Sequence, residues 1–393
     1  MGLFNQRQIA FVFYPLFPEY IRLDGMPFAE NIVRRLAASG WHIDLFLWNK
    51  FDSSKHTALF PENIHYKYGR MYYTTRATRI IGLTLRFARC IGYKSVFSVG
   101  TAGSYIGGII STASRCPYVL LNDEFPSNIG DQSRWSPLER WGARRADVIV
   151  TPSADRDTRL REELRLDADK PFVTIRNTPE IILPLSYRDW HKLMGIPYCK
   201  KIFIHAGNVA EWEQVPEILT SVSYWPADAV LLLHSRHRGE LTRYRQQLSH
   251  LDNPKRVFWS LEPLSEDSLN SLISYCTGSF ALYRNTGVNN EMMGTSSGKL
   301  MRSIVCGTPV ITSSFESLRF VTNEGLGIQV THPAEIPAAI EKLMRDRESY
   351  RKRCERFAAS EEILREKAWN KIVLSVRNAP NGVDLSPPGR EPV

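Results

Sequence analysis

Between Thr286 and Thr312 the chain reads TGVNNEMMGTSSGKLMRSIVCGTPVIT. Ser296 and Ser297 can cap a helix that starts near Gly298, which puts Lys299 in its first turn. Leu300, Ile304 and Val305 supply an apolar stripe. Cys306 and Gly307 end the helix, Pro309 follows, and Val310 and Ile311 begin a strand. A helix start with free amides, two hydroxyls, a glycine and a lysine suits a phosphate group. The same residues serve equally well as an ordinary capped helix.

Other residues have types that suit chemistry. Gly207 and Asn208 close a predicted strand, and a glycine there lets a diphosphate approach the backbone; the plain alternative is a strand-to-helix turn. Arg236 and Arg238 follow the next strand, where guanidinium groups suit bidentate phosphate binding or make a solvated basic loop. Asp123 and Glu124 stand at the carboxyl end of the strand Tyr118–Leu121 and before Pro126. Either can act as a general base, or as a turn or capping residue. Two Asp-x-Asp patterns, Asp155/Asp157 and Asp167/Asp169, fall at a helix start and in a turn, and neither is read as a metal site.

The elements that must carry these residues alternate strand and helix. Ile9–Tyr14, Ile43–Trp48, Ser95–Val99, Tyr118–Leu121 and Val148–Val150 read as buried parallel strands, with helices at Phe28–Ala38, Thr78–Cys90, Ala102–Ser114, Pro137–Arg145 and Ala154–Leu164. After a linker near Asn177 and Pro184 the alternation restarts at Ile202–His205. This predicts two α/β domains with parallel sheets covered on both faces. At 393 residues, 43% of them apolar and 23% charged, the chain is long enough for two cores of ordinary size. No apolar run is long enough to span a bilayer, and the N-terminus lacks a signal-peptide layout. The six cysteines show no metal-ligand spacing and read as reduced core thiols of a cytoplasmic protein.

The helix-and-strand stretch resembles the donor-binding segment of GT-B glycosyltransferases, especially the large family-4-like group, through Ser297, Lys299, Leu300, Gly307, Pro309, Val310 and Ile311. The tandem α/β domains are similar to that fold over nearly the whole chain. The resemblance implies an acceptor-binding domain at 1–177 and a nucleotide-sugar-binding domain at 178–360. A C-terminal helix at 361–376 would pack back on the first domain, and the tail from 377 reads as disordered. It implies donor contacts at Gly207, Asn208, Arg236, Arg238, Ser296, Ser297, Gly298, Lys299 and Arg302. Asp123 or Glu124 would be the catalytic base, with Asp24 and Gly25 on the acceptor side. It also implies a nucleotide-sugar substrate, with no cofactor and no metal.

The sequence departs from the family at four positions. The basic residue that usually follows the glycine is Asn208, and the lysine a few residues later is Glu213. The glutamate expected three residues after the lysine is Arg302, and its acidic companion falls on Gly294, with Glu291 out of register. Arg302 can face a carboxylate or an extra phosphate, or be an exposed helix charge. These departures leave a catalytically silent scaffold on the same fold, or a sugar-nucleotide epimerase, as the alternatives to a transferase.

Net charge is +9, which favours an anionic partner. From Asn63 to Asn122 there is no acidic residue, but Lys67, Arg70, Arg76, Arg79, Arg86, Arg89, Lys94 and Arg115 are interleaved with aromatics. Segment 63–94 can rest on an anionic membrane surface, near a glycan or lipid-linked glycan acceptor, or form a half-buried helix with a solvated basic face. Nothing resembles a nucleic-acid module.

Overall fold

The computed structural model describes residues 8–13, 26–47, 63–68, 82, 84–125, 136–180, 188–235 and 238–386. The chain divides into two compact units, residues 1–177 with 364–393, and residues 178–363.

The first unit is built on a seven-stranded parallel sheet in the order β3-β2-β1-β4-β5-β6-β7. The strands are β1 (Gln8–Phe13), β2 (His42–Leu47), β3 (Ile64–Tyr68), β4 (Ser95–Val99), β5 (Tyr118–Leu121), β6 (Val148–Thr151) and β7 (Phe172–Thr174). Ile9, Phe11, Val96, Phe97, Val119 and Leu120 are all fully buried. Strands covered on both faces read as continuous apolar runs, which is why these segments are legible. The helix Gly100–Ser114 packs on the helix Ser136–Arg145 at very short range. A Cβ on Gly142 would lie 2.2 Å from the Ser104 carbonyl oxygen, so only glycine permits this approach.

The second unit carries a six-stranded parallel sheet, β10-β9-β8-β11-β12-β13. Its strands are β8 (Lys201–Ala206), β9 (Ala229–His234), β10 (Val257–Ser260), β11 (Gly278–Ala281), β12 (Val310–Ser313) and β13 (Gly327–Val330). Strand order reverses between β8 and β11, which makes the carboxyl ends of those two strands the switch point where open α/β sheets bind ligands.

The helix Arg347–Asn378 crosses the boundary between the units at Ile363. Its later residues Trp369, Ile372 and Val376 share a buried cluster with Phe28, Leu36 and Trp41 of the first unit. The disorder expected from residue 377 is corrected over 377–386. Leu385 is fully buried, and its carbonyl accepts a hydrogen bond from Trp41 Nε1 at 3.4 Å. Val383 packs on the same cluster, so the apolar pair Val383 and Leu385 holds a segment whose prolines and polar residues suggested a free tail.

Candidate functional site

In the second unit, β8 ends at Ala206 and the chain turns at Gly207, whose φ of 157° favours glycine. The Gly207 amide donates to the His234 carbonyl at 3.0 Å, continuing the ladder to β9. The loop then runs to Gln214, held left-handed at φ 54°. Gln214 Nε2 donates to the Tyr283 carbonyl oxygen at 2.7 Å, which ties the loop to the end of β11. Trp212 stacks on Tyr283 with ring centroids 5.9 Å apart.

The helix Gly298–Val305 starts beside this loop. Ser297 is its cap: the side chain accepts from the Leu300 amide at 3.2 Å and is hydrogen-bonded to the Tyr283 hydroxyl. Capping uses the Leu300 amide and leaves those of Gly298 and Lys299, the two residues before it, without a described acceptor. Ser296 belongs to the preceding turn, and its hydroxyl donates to the Met293 carbonyl. The aliphatic stem of Lys299 passes within 3.4 Å of where a Gly207 Cβ would stand, and its ammonium sits 4.9 Å from the Tyr283 ring centroid. The chain thus brings Gly207, Asn208, Ser296, Ser297, Gly298 and Lys299 together at the β8/β11 switch point.

Lys299 Nζ donates to Glu213 Oε2 at 2.7 Å, and the same oxygen is 3.0 Å from His205 Nε2. Burial opposes a charge on Glu213, but the Lys299 ammonium and the His205 ring overcome it and hold the carboxyl below its usual range. His205 is fully buried. Its Nε2 lies between two acceptors, Glu213 Oε2 and the Asn208 carbonyl at 2.8 Å, so that nitrogen carries the proton. Glu213 therefore stands in this site as the counter-charge of Lys299.

Arg302 turns away from the site. Its Nη1 donates to Asn270 Oδ1 at 2.7 Å and its Nη2 is 2.5 Å from Glu266 Oε2, both on the helix Glu266–Tyr275. The guanidinium is buried and faces a carboxylate of the protein itself, so it is not the exposed helix charge that the sequence also allowed. Arg238 opens the helix Arg238–Gln247, but its side chain lies outside the described residues, as do Arg236, Asp24 and Gly25.

In the first unit Asp123 and Glu124 follow β5 as expected from the sequence, and both are half-buried. Arg156, almost completely buried, donates to the Asp123 carbonyl at 2.7 Å and stacks over Phe125 at 4.3 Å. Burial pushes the Asp123 carboxyl up to about 6, with Arg156 opposing the rise. Asn122 Oδ1 accepts from the Glu124 amide at 3.2 Å, and its Nδ2 donates to Glu139 Oε1 at 3.4 Å. Thr101 Oγ1 reaches the same Glu139 oxygen at 3.1 Å. Burial raises the Glu139 carboxyl to about 8. Glu139 holds the turn before Asp123 from behind, and it was missed in the sequence because SPLERWGARR reads as a charged surface helix.

Asp157 Oδ1 accepts from Thr151 Oγ1 at 2.6 Å, a local helix-start contact. Among the described residues no three His, Cys, Asp or Glu side chains gather as a metal site requires. No described helix is long and apolar enough to cross a membrane. All six cysteines are free thiols.

The two sheets and their order define a GT-B fold. Solved structures confirm it across almost the whole length. Sucrose-phosphate synthase from Thermosynechococcus elongatus is 16% identical, with a TM-score of 0.67 over 93% of this chain and 97% of that one. HepE from Anabaena, solved in complex with UDP-glucose, is 12% identical, with a TM-score of 0.67 over 93% and 99%. WaaG, a glycosyltransferase involved in lipopolysaccharide biosynthesis, is 11% identical, with a TM-score of 0.65 over 93% and 99%. No family profile and no curated protein matches the sequence itself.

Proposed function

We propose that the protein transfers a sugar from a nucleotide-sugar donor to a glycan or lipid-linked glycan, in the making of a cell-surface polysaccharide or glycoconjugate. The observation that carries this reading is the placement of the Gly207 turn, the Gly298 and Lys299 amides and the Lys299 ammonium together at the β8/β11 switch point. These groups suit a diphosphate, and HepE, of the same fold, was solved with UDP-glucose.

In this reading Asp123 or Glu124 takes the proton from the acceptor hydroxyl. The acceptor oxygen bonds to the anomeric carbon, and the bond from that carbon to the diphosphate oxygen breaks. The amides and Lys299 stabilise the charge that develops on the departing diphosphate, with no metal ion needed. Leu85 and Ile91 are 60% and 69% exposed, beside exposed Arg86, Arg89 and Lys94. Such a basic and apolar surface suits peripheral attachment to an anionic membrane, close to a lipid-linked acceptor.

The Lys299–Glu213 pair favours a second reading, a binding module without turnover, because the cation that would meet the diphosphate is already compensated. Release of nucleoside diphosphate from a panel of nucleotide sugars, with and without mixed glycan acceptors, separates the two. Acceptor-dependent release supports transfer, whereas donor binding with no release under any condition supports the module.

A further inference from the structure

The second unit has a cavity at the end of its sheet opposite the Gly207 turn. It has a volume of 480 Å³ and opens where β8 begins, at Lys201, whereas the Gly207 turn lies beyond the end of that strand. A six-residue strand separates the two by about 20 Å. Five cationic side chains line the cavity, Arg188, Lys200, Lys201, Arg347 and Arg351, and no carboxylate does.

These cations are not drawn together by protein anions. Lys200 Nζ turns to the Ala227 carbonyl at 2.7 Å, and Arg351 Nε meets Glu355 at 3.0 Å. Arg347 has only long contacts of 3.4 Å to the carbonyls of Tyr275 and Cys276. No described carboxylate pairs with Arg188, Lys201 or Arg347. The nearby Asp189 is occupied with the Lys192 amide and the Tyr198 hydroxyl. Like charges held around one space repel one another, and an anion entering it relieves that repulsion. Arg347 and Arg351 stand one helical turn apart on one face, a spacing that presents two guanidinium groups to a single ligand.

We propose that this cavity binds a small molecule carrying a diphosphate group, at a site separate from the Gly207 turn. The volume exceeds what one phosphate fills and lies in the ordinary range of small-ligand sites. Tyr198, stacked on His191 with centroids 5.4 Å apart and 68% exposed, adds an aromatic surface at the rim for the organic part of the ligand. Two of the cations, Arg347 and Arg351, belong to the helix that continues past Ile363 into the first unit.

The test is isothermal titration with inorganic pyrophosphate, and in parallel with ADP, on four full-length proteins: wild type, Lys299→Ala, Lys201→Gln/Arg347→Gln and Tyr198→Ala. Lys201 is exposed and Arg347 makes only long carbonyl contacts, so the double variant keeps its fold, checked by circular dichroism. The expected result is pyrophosphate binding that survives Lys299→Ala and weakens about tenfold or more in the double variant. Tyr198→Ala weakens ADP while sparing pyrophosphate. Loss of all binding in a Lys299→Ala protein that circular dichroism shows to be folded, or unchanged affinity in the double variant, overturns the proposal. Because Lys299 and Arg347 are changed separately, failure here leaves the reading of the Gly207 site intact, and failure there leaves this one.

Discussion

The Lys299 ammonium is 2.7 Å from Glu213 Oε2, and the Gly207 turn passes beside the lysine stem. Both side chains are largely withdrawn from water, at 11% and 4% exposure, so each depends on the other for its charge. Removing the lysine alone leaves a buried carboxylate with only His205 to face. Lys299→Ala is expected to destabilise the second unit by about 3 kcal/mol. The double change Lys299→Ala/Glu213→Gln recovers part of that loss, with a coupling of about 1–3 kcal/mol in a double-mutant cycle by urea unfolding. Strict additivity of the two changes contradicts a functional pair.

The same pair sets an acid limit. Glu213 has its folded pKa held below the unfolded value of about 4.3. Its stabilisation is fully present above the unfolded value and is lost as pH falls through the folded one. Melting temperature should therefore fall more steeply below about pH 4 in wild type than in Glu213→Gln. Parallel curves would show that the carboxylate contributes nothing.

Asp123 works in the opposite direction. Its carboxyl is raised to about 6, so ionisation in the folded state costs stability above the unfolded value. Asp123→Asn should raise the melting temperature at pH 7 while reducing turnover, and wild-type kcat/KM should fall with decreasing pH below about 6. Glu124→Gln is the companion experiment. If neither substitution affects turnover, the base lies elsewhere.

Gly142→Ala places a methyl group against the Ser104 carbonyl at 2.2 Å. The helices Gly100–Ser114 and Ser136–Arg145 must then separate, which carries Glu139 away from Thr101 and Asn122. A loss of about 2–3 kcal/mol in chemical denaturation is expected. A neutral result would mean that the close approach is not needed to seat Glu139.

Much of this architecture is legible in the sequence because parallel strands buried on both faces leave continuous apolar runs, as in Ile9–Phe13 and Ala229–Leu233. Strand β3 was missed: IHYKY alternates, and it lies at the edge of the sheet with His65 and Lys67 exposed. The helix from Gly298 and its serine cap are set by local pattern and appear as expected. The Lys299–Glu213–His205 cluster is not local. It depends on how the 207–214 loop folds back, through the left-handed Gln214 and its bond to Tyr283, and no spacing rule shows that. Glu139 stayed hidden for a related reason, since its burial is decided by a glycine on its own helix meeting a serine on another.

On the surface, Arg86→Glu/Arg89→Glu with Leu85→Ser should reduce co-sedimentation with anionic liposomes and leave neutral liposomes unaffected. Equal sedimentation of wild type and variant would remove the membrane from the account.

The most direct test of the central claim is the shift in melting temperature of wild type and Lys299→Ala with UDP, GDP, CMP, dTDP and their sugars, because a ligand that binds only the folded state raises it by mass action. The account predicts a clear rise with one nucleotide family in wild type and a much smaller rise in Lys299→Ala. A folded wild-type protein with no shift for any of them, or a shift that Lys299→Ala retains in full, would contradict a donor site at the Gly207 turn.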